Sequence, residues 1–246
     1  MSNLFNINNK IAIVTGASRG IGKAIATGLN DAGVRVYGLS RTKNLTDTVF
    51  HKYYECNINN NNELSKTIND IGKREKRIDI LVNAAGISLQ NNYEELENNN
   101  FDNTILTNLK SVFQVCNLVI PFMKINGGGS IINITSIGSN LGFPNNPGYL
   151  ASKAGLSGLT RALAYDFGTY GIRVNNLVPG YFRTSMTEKS YLDKDEMSKR
   201  SLKTLLNRWG NPEELAGAVI FLSSQAGSYV TGIDLVVDGG WSIKGI

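Results

Sequence analysis

The chain has 246 residues, of which 41% are hydrophobic, 18% charged and 9% aromatic, proportions that let burial offset chain entropy. They exclude a disordered segment, a collagen repeat and a coiled coil. The net charge is +5, from 25 basic and 20 acidic side chains, but the bases are scattered and only Lys73 to Arg77 cluster. That cluster reads as the solvated end of a helix rather than a nucleic-acid contact, and the Asn runs at 59–62 and 98–100 read as polar loops.

Short runs rich in Ile, Val and Leu alternate with stretches of helical period along the whole chain. Strands are predicted at 10–16, 35–40, 52–56, 78–86, 130–136, 172–178 and 234–240, and helices near 21–32, 62–74, 101–124, 148–169 and 212–224. The last helix opens at Asn211-Pro212-Glu213-Glu214, with proline at its first turn. Neither a linker nor a repeat interrupts the pattern. The expected fold is therefore a single doubly wound α/β domain over 1–246, Rossmann-type, with a seven-stranded, mainly parallel sheet and helices on both faces.

Cys56 and Cys116 are the two cysteines, too few for a disulfide framework or a metal cluster, so no metal is expected. No apolar run approaches the ~20 residues of a bilayer span. The opening MSNLFNINNKIAIV lacks a basic region followed by a long apolar one. A soluble, cytoplasmic protein without a membrane partner is expected.

The first predicted strand runs into Thr15-Gly16-Ala17-Ser18-Arg19-Gly20-Ile21-Gly22 and then a helix. Glycines at 16, 20 and 22 let the backbone turn sharply and approach a ligand, and the helix start offers free N–H groups to a pyrophosphate. The order differs from the generic G-x-G-x-x-G. At the end of the second strand an acid would hydrogen-bond a ribose 2′-hydroxyl and repel a 2′-phosphate. Here Ser40 and Arg41 stand instead, with Arg19 nearby in sequence pattern, which suits NADP(H). Gly16-Ala17-Ser18-Arg19-Gly20 also satisfies the G-x-S-x-G of a hydrolase nucleophile elbow. The one histidine, His51, precedes the third strand, so Ser18 lacks the late base that such an elbow needs.

Tyr149 and Lys153 lie four apart on a predicted helix and share its face, and Ser136 ends a strand 13 residues before Tyr149. A phenol is a poor base near neutrality, but a lysine ammonium on the same face would favour the phenolate, and Ser136 can hold a substrate oxygen.

In these motifs the chain resembles the short-chain dehydrogenase/reductases over nearly its whole length. Residues 15–22 look like that family's T-G-x-x-x-G-x-G cofactor loop. Asn57 and Ile58 resemble its adenine-contacting segment, with Asn57 where an Asp is usual. Asn83-Ala84-Ala85-Gly86 resembles N-N-A-G, with Ala84 for the second Asn. The resemblance assigns Asn108, Ser136, Tyr149 and Lys153 to catalysis, Lys153 also to the nicotinamide ribose, and Pro179, Gly180 and Thr184 to the carboxamide. It implies hydride transfer between NADP and a secondary alcohol or ketone. A cofactor-binding sensor without catalysis is disfavoured by the intact Asn-Ser-Tyr-Lys set.

Substrate choice is expected from a lid over about 181–206. Carrier-protein 3-oxoacyl reductases resemble the chain throughout, but lysine and polar residues at 124–127 and 169–171 replace the arginines that grip an acidic carrier. Sugar-acid dehydrogenases resemble it at Tyr181-Phe182, at Asn207 to Gly210 and at Val237 to Trp241, which favours a small polar substrate. Arg183 is a candidate partner for a carboxylate, and Gln90, Tyr93 and Asn140 to Phe143 are candidate pocket residues on family analogy. Relatives form tetramers, and apolar residues on more than one face of the 101–124 and 148–169 helices imply a homotetramer here.

Overall fold

The computed structural model describes residues 4–42, 48–91 and 99–244. Seven strands form one sheet: β1 (Ile11–Thr15), β2 (Arg35–Ser40), β3 (Lys52–Glu55), β4 (Ile80–Asn83), β5 (Gly129–Ile134), β6 (Ile172–Pro179) and β7 (Asp234–Val237). Their order is β3-β2-β1-β4-β5-β6-β7, and every pairing is parallel. The order reverses between β1 and β4, the position where such sheets open a crevice at their carboxyl ends. Most strands are shorter than their apolar runs: 84–86 and Thr135-Ser136 leave the sheet and become the loops that line that crevice.

Alternation sorts the side chains to two cores. Ile11, Ile13, Leu81, Ile131 and Val174 face one side, and Ala12, Val14, Val82, Ile132 and Leu177 face the other. The first side is covered by α2 (Asn61–Glu75), α4 (Ser111–Ile125) and α5 (Pro147–Phe167), the second by α1 (Gly20–Asp31) and α8 (Glu214–Ser223). Two helices were not foreseen, α6 (Glu188–Leu192) and α7 (Lys194–Lys203), the latter started by Asp193, whose carboxylate accepts the Asp195 and Glu196 amides.

The helix predicted at 101–124 is divided. α3 (Asn100–Ile105) passes through a π turn at Leu106–Lys110 before α4 begins. Polar residues such as Asn103, Asn108 and Gln114 hide its length from a search for apolar runs. By length and composition Asn100–Ile125, 26 residues with an 18-residue stretch of mean hydropathy 1.3, is long and apolar enough to cross a membrane. Here Val112, Val115, Cys116, Val119 and Met123 bury one side of it in the first core.

A chain of buried amides crosses the sheet beneath the crevice. Asn83 donates to Asn133 (2.8 Å), Asn133 to the Thr160 hydroxyl (2.8 Å), Thr160 to Asn176 (2.6 Å) and Asn176 to Asp234 (2.6 Å). Asn133 is directly paired with both Asn83 and Asn176 in the sheet register, so the ladder pins β4, β5 and β6 to each other and, through Thr160, to α5. Thr160→Val keeps the volume but orphans a donor and an acceptor where burial is complete. At roughly 1–3 kcal/mol per orphan, unfolding free energy should fall by about 2–6 kcal/mol. Urea titration would show this as a lower midpoint at unchanged slope, and an unmoved midpoint would make the ladder dispensable.

Candidate active site

The crevice is a cleft of about 490 Å³ at the carboxyl ends of the strands. Its floor is the loop between β1 and α1. Gly16 and Gly20 have φ of +67° and +56°, which side chains with a Cβ rarely tolerate. A Cβ on Gly22 would lie 2.4 Å from the Gly16 carbonyl oxygen, so the loop closes only without one. Arg19 starts α1 without any side-chain cap, leaving first-turn N–H groups to a ligand. Ser18, Arg19, Gly20, Ile21 and Gly22 all line the cleft.

At one end stand Ser40, Arg41, Asn57 and Ile58. The Ser40 hydroxyl accepts the Thr42 amide (3.1 Å) and shares a hydrogen bond with the Tyr53 hydroxyl. β2 ends without a carboxylate, and the exposed Arg19 and Arg41 both reach the cleft. Asn57 spends its carbonyl oxygen on the Asn59 amide (3.1 Å).

At the other end the cleft is lined by Ala84, Gly86, Ser136, Tyr149, Lys153, Pro179, Gly180 and Thr184, as the sequence motifs predict. Ser136 lies past β5, where its hydroxyl caps a short turn by accepting the Gly138 amide (3.0 Å). Pro147 opens α5, which carries Tyr149 and Lys153. Two predicted residues do not line the cleft. Asn83 lies below it in the amide ladder. Asn108, on the π turn, accepts the Ile87 amide (2.9 Å) and donates to the Ile87 carbonyl (2.8 Å) and the Ser152 hydroxyl (3.1 Å). Ser152 in turn donates to the Tyr149 carbonyl (2.7 Å), so Asn108 braces both the β4 loop and the first turn of α5.

The electrostatics correct one expectation. Lys153 does not lower the Tyr149 phenol in this ligand-free state: burial raises it, a hydrogen bond from Ser136 opposes the rise, and the Tyr181 phenol adds to it. The Lys153 ammonium lies 5.6 Å from the Tyr149 ring centre and donates to the Ile134 carbonyl (2.7 Å). Burial lowers the lysine to about 8. Gly86 lies beside it, and a Cβ there would crowd the Asn108 side-chain oxygen at 3.3 Å while only touching the ammonium nitrogen at 3.6 Å.

Beyond Tyr149 the sequence missed an aromatic wall. Tyr181 lies between Trp209 (5.3 Å between ring centres) and Trp241 (5.6 Å), and Trp241 reaches Phe143 (6.5 Å). The available signal was that both tryptophans of the chain, Trp209 and Trp241, follow the lid segment. Of the other pocket candidates, Gln90 holds the Asn100 side-chain amide through its backbone, and Tyr93 lies outside the described residues. Among the described residues no group of three His, Cys, Asp or Glu is placed to hold a metal.

The lysine carries a stability cost with a defined pH window. Below about pH 8 both folded and unfolded chains hold its proton, and the folded chain bears the full burial cost. Between about 8 and the ordinary 10.5 only the unfolded chain holds it, so stability rises with pH across that window. Lys153→Met should therefore melt above wild type at neutral pH, with the gap closing by pH 10. A gap constant across a calorimetric pH series would show that the ammonium is not a burdened buried charge.

Comparison with known proteins agrees with this geometry. The family model described as "Enoyl-(Acyl carrier protein) reductase" matches residues 16–242. The chain is 36% identical to the gluconate 5-dehydrogenase of Gluconobacter oxydans, covering 98% of both chains. It is 38% identical to the 3-oxoacyl-[acyl-carrier-protein] reductase FabG of Buchnera aphidicola, covering 96% of this chain and 98% of that one. A gluconate 5-dehydrogenase from Burkholderia cenocepacia, crystallised with NADP and tartrate, superposes with a TM-score of 0.93 at 32% identity over 99% of both chains. The chain belongs to the short-chain dehydrogenase/reductase family of oxidoreductases.

Proposed function

We propose that the protein is an NADP(H)-dependent oxidoreductase that interconverts a secondary alcohol and a ketone on a small polar substrate such as a keto sugar acid. The observation that carries the reading is the meeting of Ser136, Tyr149 and Lys153 at one end of a cleft whose other end holds Arg19, Ser40 and Arg41. The residues suit the cofactor: the Gly16–Gly22 crossing admits a close diphosphate, and a 2′-phosphate meets two guanidinium groups and no carboxylate at the end of β2. When bound, the nicotinamide ring supplies or accepts the hydride.

The chain's own groups handle the proton. Ser136 holds the substrate oxygen beside the Tyr149 hydroxyl. The raised phenol is protonated at neutral pH, which suits proton donation as a keto carbon is reduced. Lys153, whose ammonium is held by the Ile134 carbonyl 5.6 Å from the ring centre, is placed beside this pair to hold the nicotinamide ribose. Asn108, whose side chain is spent on Ile87 and Ser152, serves the reaction by positioning the β4 loop and the first turn of α5. Residues 181–206, with α6 and α7, act as the lid over this end.

The relatives named as gluconate or ketogluconate enzymes support the substrate class. The second reading, reduction of a carrier-bound 3-oxoacyl group, is favoured by the carrier-protein reductases among the relatives. Against it, the Lys124 ammonium, at the place of a carrier-gripping cation, lies 3.8 Å over the Tyr170 ring and 4.8 Å over Phe167. We further propose a homotetramer, supported by exposed Phe113, Ile125 and Tyr165 on α4 and α5, and a cytoplasmic location, supported by two buried free thiols.

Tyr149→Phe should reduce turnover at least roughly 10²-fold while NADPH affinity stays near wild type. Unchanged turnover would refute the acid. Arg41→Ala should raise KM for NADPH and leave KM for NADH in place; equal effects would return Arg41 to the solvent. NADPH oxidation should be faster with 5-ketogluconate than with acetoacetyl thioesters, and the reverse ranking would establish the second reading.

A further inference from the structure

Between the loop after β4 and the start of α5 stands a pair of polar side chains that the proton chemistry does not use. Ser88 lines the same cleft as Ser136 and Tyr149. Its hydroxyl oxygen accepts the Asn146 side-chain amide at 2.8 Å. Asn146 is the N-cap residue of α5, three residues before Tyr149, and its backbone carbonyl accepts the Leu150 amide (3.1 Å). Ile87, next to Ser88 on the same loop, is joined through Asn108 and Ser152 to the Tyr149 carbonyl. Two ties thus hold Ser88 against the turn that carries the phenol, which puts it at the reacting end of the cleft rather than at the end with Ser40 and Arg41.

The hydrogen bonding of this pair is incomplete. A hydroxyl offers one donor and two acceptor sites. Ser88 accepts from Asn146, and among the described residues its own proton has no acceptor. The Asn146 amide oxygen is buried without a partner. Other polar groups lining this end are committed: Thr135 donates to the Leu177 carbonyl (3.2 Å), Thr187 to that of Phe182 (2.6 Å) and Lys153 to that of Ile134 (2.7 Å). Arg183, the arginine that the sequence suggested for a carboxylate, stacks on Tyr191 (4.6 Å) and lines a separate depression of about 510 Å³ instead of this cleft.

We propose that Ser88 is a specificity-determining residue that donates to a substrate hydroxyl next to the keto group, with Asn146 as the positioning residue that fixes its oxygen, so that the cleft selects α-hydroxy ketones over ketones without that hydroxyl. This rests on the dehydrogenase reading above and names the substrate feature that the cleft reads. A site built to hydrogen-bond a substrate hydroxyl rejects the analogue that lacks it, because its own polar groups are then left unpaired. The amide of Asn146 occupies one lone pair of the serine oxygen and so restricts where its proton can point.

The test compares 5-ketogluconate with its 4-deoxy and 6-deoxy analogues, each of which keeps the carboxylate and the keto group and lacks one of the two hydroxyls beside the keto carbon, at saturating NADPH. Wild type should show kcat/KM at least tenfold lower for one of the two analogues. In Ser88→Ala that preference should collapse to within about twofold, and Ser88→Thr, which keeps a hydroxyl, should retain it. Asn146→Ala should raise KM for 5-ketogluconate more than it lowers kcat, and should add nothing to Ser88→Ala in the double variant; additive losses would overturn the positioning role. A wild type indifferent to both deletions, or a preference that survives in Ser88→Ala, overturns the proposal while reduction of 5-ketogluconate still upholds the dehydrogenase reading. If none of the three ketones oxidises NADPH, the polar-ketone reading fails and the proposal with it.

Discussion

The site is organised around one buried ammonium. Lys153 is 6% exposed and gives a hydrogen bond to the Ile134 carbonyl at the last residue of β5. Taking such a charge out of water costs several kcal/mol, so its surroundings must make room for it and compensate it. The Ile134 carbonyl supplies the acceptor because β5 stops there, and Ser136, two residues on, turns its hydroxyl to the same space. The catalytic helix is thus fastened to the strand whose end carries its partner residue.

The parts legible in sequence were those set by short-range rules. Strand parity sorted the two cores, the glycine loop followed β1 directly, and Tyr149 and Lys153 shared a helix face by spacing alone. What stayed hidden depends on distant contacts. Nothing near Thr160 announces that it joins Asn133 to Asn176. The π turn at Leu106–Lys110 was invisible because one wide turn in a long helix barely changes the apolar period. α7 escaped notice because its residues Lys194–Lys203 are nearly all polar, and only the cap at Asp193 marks it. The expected acidification of Tyr149 by Lys153 failed for a related reason: spacing gives proximity, whereas burial, which dominates both groups, is a property of the folded surroundings.

The two halves of the site are built with different stiffness. The cofactor side rests on sheet ends, on glycine crossings and on the buried amide ladder. The aromatic cluster is assembled from distant segments: Phe143 from the β5–α5 loop, Tyr181 from the start of the lid, Trp209 just past it, and Trp241 after β7. These are joined through one turn. Asp238 is 9% exposed and accepts the Gly240 and Ser242 amides (both 2.8 Å), which folds the chain back and places Trp241 against Tyr181. The Gly239 carbonyl accepts the Leu205 and Leu206 amides, so the end of the lid is tied to the same turn.

That arrangement separates chemistry from selection. The aromatic rings stand on segments other than the strand ends that hold Ser136 and the helix that holds Tyr149. It also explains why relatives alike over nearly the whole chain can bear the names of both sugar-acid and acyl-carrier enzymes. The shared residues place Ser136, Tyr149 and Lys153 at one dinucleotide cleft, and these are common to both kinds of enzyme. The segment between is held at both ends, by the Asp193 cap of α7 and by the Gly239 carbonyl that takes the Leu205 and Leu206 amides, so it moves against the strand ends only as a unit.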